Sequence, residues 1–323
     1  MSQQVTATTS VVICAYTLDR WSDLLAAIDS VARQDPPAGE VVVVVDHNET
    51  LRDRLAAAGL PARIIANEQA TGLSGARNTG IRATRGEVVV FLDDDARARP
   101  GWLRALLDAY EPDVIAVGGA AIPDWVAGRP AWFPEEFDWV VGCTYRGSPV
   151  ERSEVRNVIG SNMSFRREAL DAAGAFEGRL GRVGTKPVGA EETELCIRAR
   201  RAMPGRRILL DPAAAVDHRV PAPRGRLSYF LARCFGEGRS KAVLAGLAGT
   251  GEALETERAY VRRVLPAGVL RGLRAARHGD RAGARRSAAI VLGLAATGAG
   301  FVLGRLQQVV RPLEPASAPA RSA

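Results

Sequence analysis

The chain is poor in the residues that would build a covalent or zinc-stapled framework. It has 4 cysteines in 323 residues. Cys14, Cys143, Cys196 and Cys234 form no CxxC pair and no metal-ligand spacing. That excludes a disulfide scaffold and reads as reduced thiols of a cytosolic protein, none in a nucleophilic context. Aromatic residues make up only 6%. No internal repeat is present. Met1–Ser10 is polar and uncharged, and only a short apolar stretch follows, so no signal peptide is expected. No glycine- and lysine-rich phosphate loop follows the first strand between Ala15 and Trp21.

Apolar residues are plentiful at 47%, enough for one large domain with an appendage or for two modest domains. Charge is uneven. Residues 224–323 hold 17 Arg/Lys against 6 Asp/Glu, while residues 1–223 hold 26 against 30. A basic tail of this kind suits an anionic partner, either nucleic acid or the anionic membrane face.

Short apolar runs alternate with helical patterns through the first hundred residues. Strands are expected at Val11–Ala15, Val41–Val45, Arg63–Ala66 and the run ending in Phe91-Leu92. Helices are expected near Trp21–Gln34, Leu51–Ala58 and from Gly72 onward. This alternation predicts an α/β fold with a mostly parallel twisted sheet. Further strands are expected at Val114–Gly118, Asn157–Phe165, Ile208–Leu210 and Ala214–Asp217. Helices are expected at Arg166–Ala173 and Glu191–Arg201, with a glycine-rich loop at Gly181–Gly189. After Pro223 the pattern becomes helical.

The most informative segment is Val88–Asp95, an apolar run ending on three carboxylates. Such a run fits a strand buried on both faces. Adjacent acids at its carboxyl end call for a cation, and a hard divalent ion holding phosphate oxygens fits. Ligands of open α/β sheets bind at that end of the strands. A solvated acidic turn would show the same residues.

Six segments in order resemble family 2 glycosyltransferases, the inverting group with the GT-A nucleotide-sugar fold. They are Val-Val-Ile-Cys-Ala-Tyr at 11–16, Val-Val-Asp at 44–46 and Gly-Leu-Ser-Gly-Ala-Arg-Asn-Thr-Gly at 72–80. Phe-Leu-Asp-Asp-Asp at 91–95, Gly-Ser-Asn-Met-Ser-Phe-Arg-Arg at 160–167 and Glu-Glu-Thr-Glu-Leu-Cys-Ile-Arg at 191–198 follow. The resemblance implies a nucleotide site formed by Tyr16, Asp46, Arg77, Asn78 and Asp93. Asp46 would read the base, and Arg77 at a helix start would suit a diphosphate. It implies a divalent cation, Mg²⁺ or Mn²⁺, on Asp95, with His218 as a further ligand; His218 fits a structural role equally. Glu192 would be the general base, and Glu191 could take that role, since Asp is commoner at the second position. An acidic first helical turn complementing the macrodipole would look the same. Asn162, Trp132 and Trp139 are candidates for the donor sugar or acceptor. The cluster of Trp125, Trp132, Phe133, Phe137 and Trp139 fits sugar stacking, a lipid surface or a core.

The expected organisation is a GT-A glycosyltransferase domain over 1–223 and a basic helical region over 224–323, with a disordered end from about 312. Ser287–Gly304 is uncharged and at the lower edge of a membrane span, and Ser228–Ala242 is expected as an acceptor-side helix. Together these predict transfer of a sugar from a nucleoside-diphosphate sugar to a glycan or lipid-linked acceptor at the cytoplasmic membrane face, with no nucleic acid partner. The rival readings are a nucleotidyltransferase, disfavoured by the missing phosphate loop, and a nucleic-acid-binding module built on the tail. The apolar segment among the tail's arginines disfavours the latter.

Overall fold

A computed structural model describes residues 8–178, 180, 189–249 and 255–310. Most of the Gly181–Gly189 loop and the expected disordered end from about 312 lie outside them. The chain runs β1 (Thr9–Ala15), α1 (Trp21–Ala32), β2 (Glu40–Val45), α2 (Glu49–Ala57), β3 (Arg63–Ala66), α3 (Leu73–Ala83), β4 (Val88–Asp93) and β5 (Ala96–Ala98). It continues with α4 (Trp102–Asp108), β6 (Val114–Trp125), β7 (Ser153–Glu154), β8 (Asn162–Arg166), α5 (Arg167–Ala173), α6 (Glu191–Ala202) and β9 (Arg207–Val220). The C-terminal helices are α7 (Leu227–Ala248), α8 (Glu255–Ala259), a π-helical turn (Tyr260–Val264), α9 (Leu265–Arg277) and α10 (Arg281–Val310).

One sheet has the order β3-β2-β1-β4-β8-β6-β9-β5, with β7 paired to β9. The first four strands are parallel, as their βαβ connections require. β8 runs antiparallel to both β4 and β6, so the sheet is mixed. The parallel strands are Val-rich because helices cover both faces. Val11 and Ile13 join Leu24, Ile28 and Leu51 on one side. Val12 and Val42 join Ala76 and Leu195 on the other. The two short strands expected at 208–210 and 214–217 are one long β9.

A third apolar cluster joins Phe133, Phe137 and Val220 to Phe230, Leu265 and Ile290. The helical region therefore shares a core with the sheet domain. Its helices cross at glycines. A Cβ on Gly300 of α10 would lie 2.0 Å from the Phe235 carbonyl oxygen of α7. Small residues let these backbones touch, which accounts for the modest hydrophobicity of Ser287–Gly304. The opposite face of α10 leaves Val291, Leu292, Val302, Leu303 and Leu306 exposed.

Candidate active site

Because β1, β2 and β4 are parallel, Tyr16, Asp46 and the acidic triplet emerge on one edge of the sheet. They line a cavity of about 920 Å³ with Arg77, Trp139, Glu191, Glu192 and His218. Its far wall is Phe137, Tyr260, Leu265 and Leu294 from the aromatic segment and the C-terminal helices. Among the described residues, two non-glycine residues take the left-handed backbone conformation. His47 (φ 49°) directly follows Asp46, and Ala190 (φ 73°) directly precedes Glu191. Strain of this kind is retained where surrounding structure over-determines it, which is common at working sites.

Asp46 is held in place by donors: Asn67 Nδ2 at 2.7 Å and the Gly72 backbone N–H at 2.9 Å. The second comes from the residue capping α3, so the turn that opens α3 also orients Asp46. Arg77, one turn into α3, is 2% exposed. Its guanidinium donates to Glu191 Oε1 at 2.9 Å, to the Gly160 carbonyl at 2.9 Å and to Asp93 Oδ1 at 3.4 Å. It also lies over the Phe176 ring, 5.4 Å from the centroid. Arg77 thus ties α3, β4, α6 and the turn before β8 into one cradle. Cys14 lies beside this cradle, and burial pushes its thiol up to about 12, which disfavours the thiolate.

The three acids behave differently. Asp93 is partly exposed, whereas Asp94 and Asp95 are buried. Arg20 reaches Asp94 Oδ1 at 2.5 Å and Asp95 Oδ2 at 3.2 Å. Burial, with the charges of Asp95 and Asp93, pushes the Asp94 carboxyl up to about 7 against the pull of Arg20. Asp95 Oδ2 is also 3.3 Å from Arg224 Nη2, and Asp95 Oδ1 is 3.2 Å from His218 Nε2. Asp93, Asp95 and His218 each offer one ligand atom, and these atoms lie within 4.8 Å of one another. The donors are two carboxylates and an imidazole held below its usual pKa by burial, hence a neutral ligand. The set fits a divalent cation. His218 Nδ1 is buried without a hydrogen-bond partner, while Nε2 faces Asp95.

Glu191 and Glu192 open α6 but face different surroundings. Glu191 is buried against Arg77. Glu192 is half-buried at the cavity wall, and burial together with the Glu191 charge pushes its carboxyl up to about 8. Glu194 and Arg198 form an i,i+4 pair at 2.5 Å.

Three candidate residues stand apart. Asn78 exchanges hydrogen bonds with the Phe176 backbone at 3.0 and 2.7 Å and does not line the main cavity. Asn162 is wholly buried, accepting from Trp102 Nε1 at 2.8 Å and donating to the Ala120 and Ala214 carbonyls. Both amide donors and the oxygen are thus engaged within the protein, and Asn162 does not line the cavity. Trp132 packs edge-on against Phe230 in the third cluster. Trp139 lines the cavity, with its indole N–H on Tyr260.

Comparison with known proteins decides what this cradle belongs to. The family model "Glycosyl transferase family 2" matches residues 10–174. A glucosyl-dolichyl phosphate glucuronosyltransferase from Haloferax volcanii is 36% identical over 303 residues, covering 92% of this chain and 96% of that protein. The chain belongs to glycosyltransferase family 2. A pre-mycofactocin glycosyltransferase of Mycobacterium tuberculosis is 29% identical over 209 residues, 63% of this chain and 42% of that one. Two solved structures share the GT-A fold. One is a mannosyltransferase from Pyrobaculum calidifontis with GDP-Man and Mn²⁺ (TM-score 0.53, 19% identity, 89% of this chain and 86% of that one). The other is GalNAc-T7 with UDP, GalNAc and Mn²⁺ (TM-score 0.52, 16% identity, 80% and 57%). The protein is a glycosyltransferase.

Sequence reasoning did not single out several charged residues around this cavity. Arg20 is oriented by a turn in which Thr17 accepts from the Asp19 N–H at 3.2 Å. Arg224 sits at the expected domain boundary yet is buried on Asp95. Arg233, Glu237 and Lys241 of α7 all line the cavity. The available signal was charge bookkeeping: three adjacent acids imply cations arriving from elsewhere in the chain.

Proposed function

We propose that this family 2 enzyme transfers a sugar from a nucleoside-diphosphate sugar, with inversion, to a hydroxyl of a lipid-linked acceptor. The observation that carries the mechanism is the contrast between the two glutamates. Glu191 is tied to Arg77, whereas Glu192 faces the cavity with a raised pKa suited to accepting a proton near neutral pH. Glu192 removes the proton of the acceptor hydroxyl as it attacks the anomeric carbon. Tyr16, Asp46 and Arg77 form the nucleotide end of the cavity. Asp93, Asp95 and His218 would hold a divalent cation, whose bound charge stabilises the departing nucleoside diphosphate. The imidazole in that set favours Mn²⁺ over Mg²⁺.

The lipid-linked acceptor is supported by the Haloferax relative, a glucosyl-dolichyl phosphate glucuronosyltransferase, and by the apolar far wall of the cavity. Among the described residues one helix, Arg281–Gln308, is long and apolar enough to cross a membrane. Its glycine stripe is packed against α7 and α9, so we place it along the cytoplasmic membrane face, apolar side down, with Arg281, Arg285 and Arg305 at its ends. The test is transfer from a panel of UDP- and GDP-sugars to a polyprenyl-phosphate-linked glucose. NMR of the product should show the anomeric configuration opposite to that of the donor. A product of retained configuration would refute Glu192 as base.

A further inference from the structure

Helix α7 presents Arg233, Glu237 and Lys241, at i, i+4 and i+8, to the cavity. Two of these are matched within the protein. Lys241 Nζ lies 2.7 Å from Glu257 and 3.4 Å from Glu237, and Arg156 closes on Glu257 at 2.7 and 2.9 Å. Arg233 differs. Its Nε and Nη1 are buried and have no hydrogen-bond partner, which no other arginine shows among the described residues. A guanidinium cannot shed its charge. Leaving the N–H groups of Nε and Nη1 buried and unmatched is unfavourable.

The position narrows what would match it. Arg233 lies one turn after Phe230 of the third cluster and beside Cys234, whose thiol meets Thr297 of α10. Leu294, Thr297 and Tyr260 line the same cavity. Phe230, Tyr260, Leu294 and Thr297 make this part of the cavity one built by the C-terminal helices. A ligand there must combine an anionic group with an apolar body.

We propose that Arg233 binds the phosphate of a lipid-phosphate acceptor, while the apolar wall receives the first part of the lipid chain. This rests on the lipid-linked acceptor reading and makes Arg233 its specificity-determining residue. Planar donors suit phosphate, and Lys would replace them only as a point charge.

The test uses the full chain and two single-tailed probes below their micellar concentrations, dodecyl phosphate and dodecyl glucoside. Binding is followed by calorimetry and by the fluorescence of Trp139 in the cavity wall. Wild type should bind dodecyl phosphate at least tenfold more tightly. Arg233→Met should abolish that preference, Arg233→Lys should keep part of it, and the melting temperature of Arg233→Met should be unchanged or raised. Nucleotide release from the donor without acceptor should keep its KM in all variants. Equal binding of the two probes by wild type would overturn the proposal, as would a preference that survives in Arg233→Met. A rise in donor KM in Arg233→Met would assign the residue to the donor diphosphate instead and overturn it too. Loss of both binding and melting temperature would assign a structural role and likewise overturn it. Phosphate-selective binding without transfer to any lipid-linked acceptor would support Arg233 as a lipid-phosphate site and refute the function reading separately.

Discussion

Replacing Arg77 by methionine keeps an apolar chain over Phe176 and removes the guanidinium from the centre of the cradle. Glu191 Oε2 already lacks a hydrogen-bond partner, and the substitution strips Oε1 of its 2.9 Å contact as well. A fully buried carboxylate is then left without a counter-charge, which destabilises by about 3–5 kcal/mol. The freed Gly160 carbonyl adds about 1 kcal/mol. At roughly 2 °C per kcal/mol for a chain of this size, the melting temperature should fall by about 8–12 °C. Urea unfolding followed by circular dichroism gives the same quantity as a shifted midpoint. Arg77→Met combined with Glu191→Gln should recover about 2 kcal/mol, because the pair is coupled. A loss below 1 kcal/mol, or full additivity in the double variant, would refute the cradle as described.

Other expectations follow from the same geometry. Glu192→Gln should lower kcat by about 10²–10⁴-fold, and wild-type kcat/KM should climb with pH toward a plateau above about 8; a flat profile between pH 6 and 9 would contradict this. The folded carboxyl titrates above its unfolded value of 4.5, so its contribution to stability is present below that pH and is lost as pH rises toward 8. Glu192→Gln should therefore melt higher than wild type at pH 9 and match it at pH 4, read by scanning calorimetry. Gly119→Ala would place a Cβ 1.8 Å from the Ala214 carbonyl oxygen, so a loss of about 3 kcal/mol is expected in the same unfolding assay. Replacing Leu292, Val302 and Leu306 by serine should weaken sedimentation with anionic vesicles by about 10²-fold or more, while donor hydrolysis is unchanged.

The parallel half of the sheet was legible because all-Val strands bounded by turn residues have few alternative readings. The long β9 was not, since Pro212 interrupts its apolar run and reads as a break. The short β5 and α4 were hidden by the acidic and basic residues of 93–99, which serve the site more than the fold. Asp46, Arg77, Asp93, Asp95 and Glu192 could be picked from strand ends and a helix start, positions that local pattern marks. Asn162 could not be judged that way. Its role is set by Trp102, Ala120 and Ala214, which are distant in sequence. The same holds for Arg20, Arg224 and Arg233, whose significance lies only in which acids they meet or fail to meet. The aromatic cluster offered three readings, and packing assigns most of it to a core shared with the C-terminal helices.

The measurement that bears most directly on the account is nucleotide release from UDP- and GDP-sugars in the presence of Mn²⁺ or EDTA, for wild type and Asp95→Ala. The account predicts slow release from one donor that requires the metal and is lost in the variant, with the fold intact by circular dichroism. Release that is indifferent to both EDTA and Asp95→Ala would contradict it.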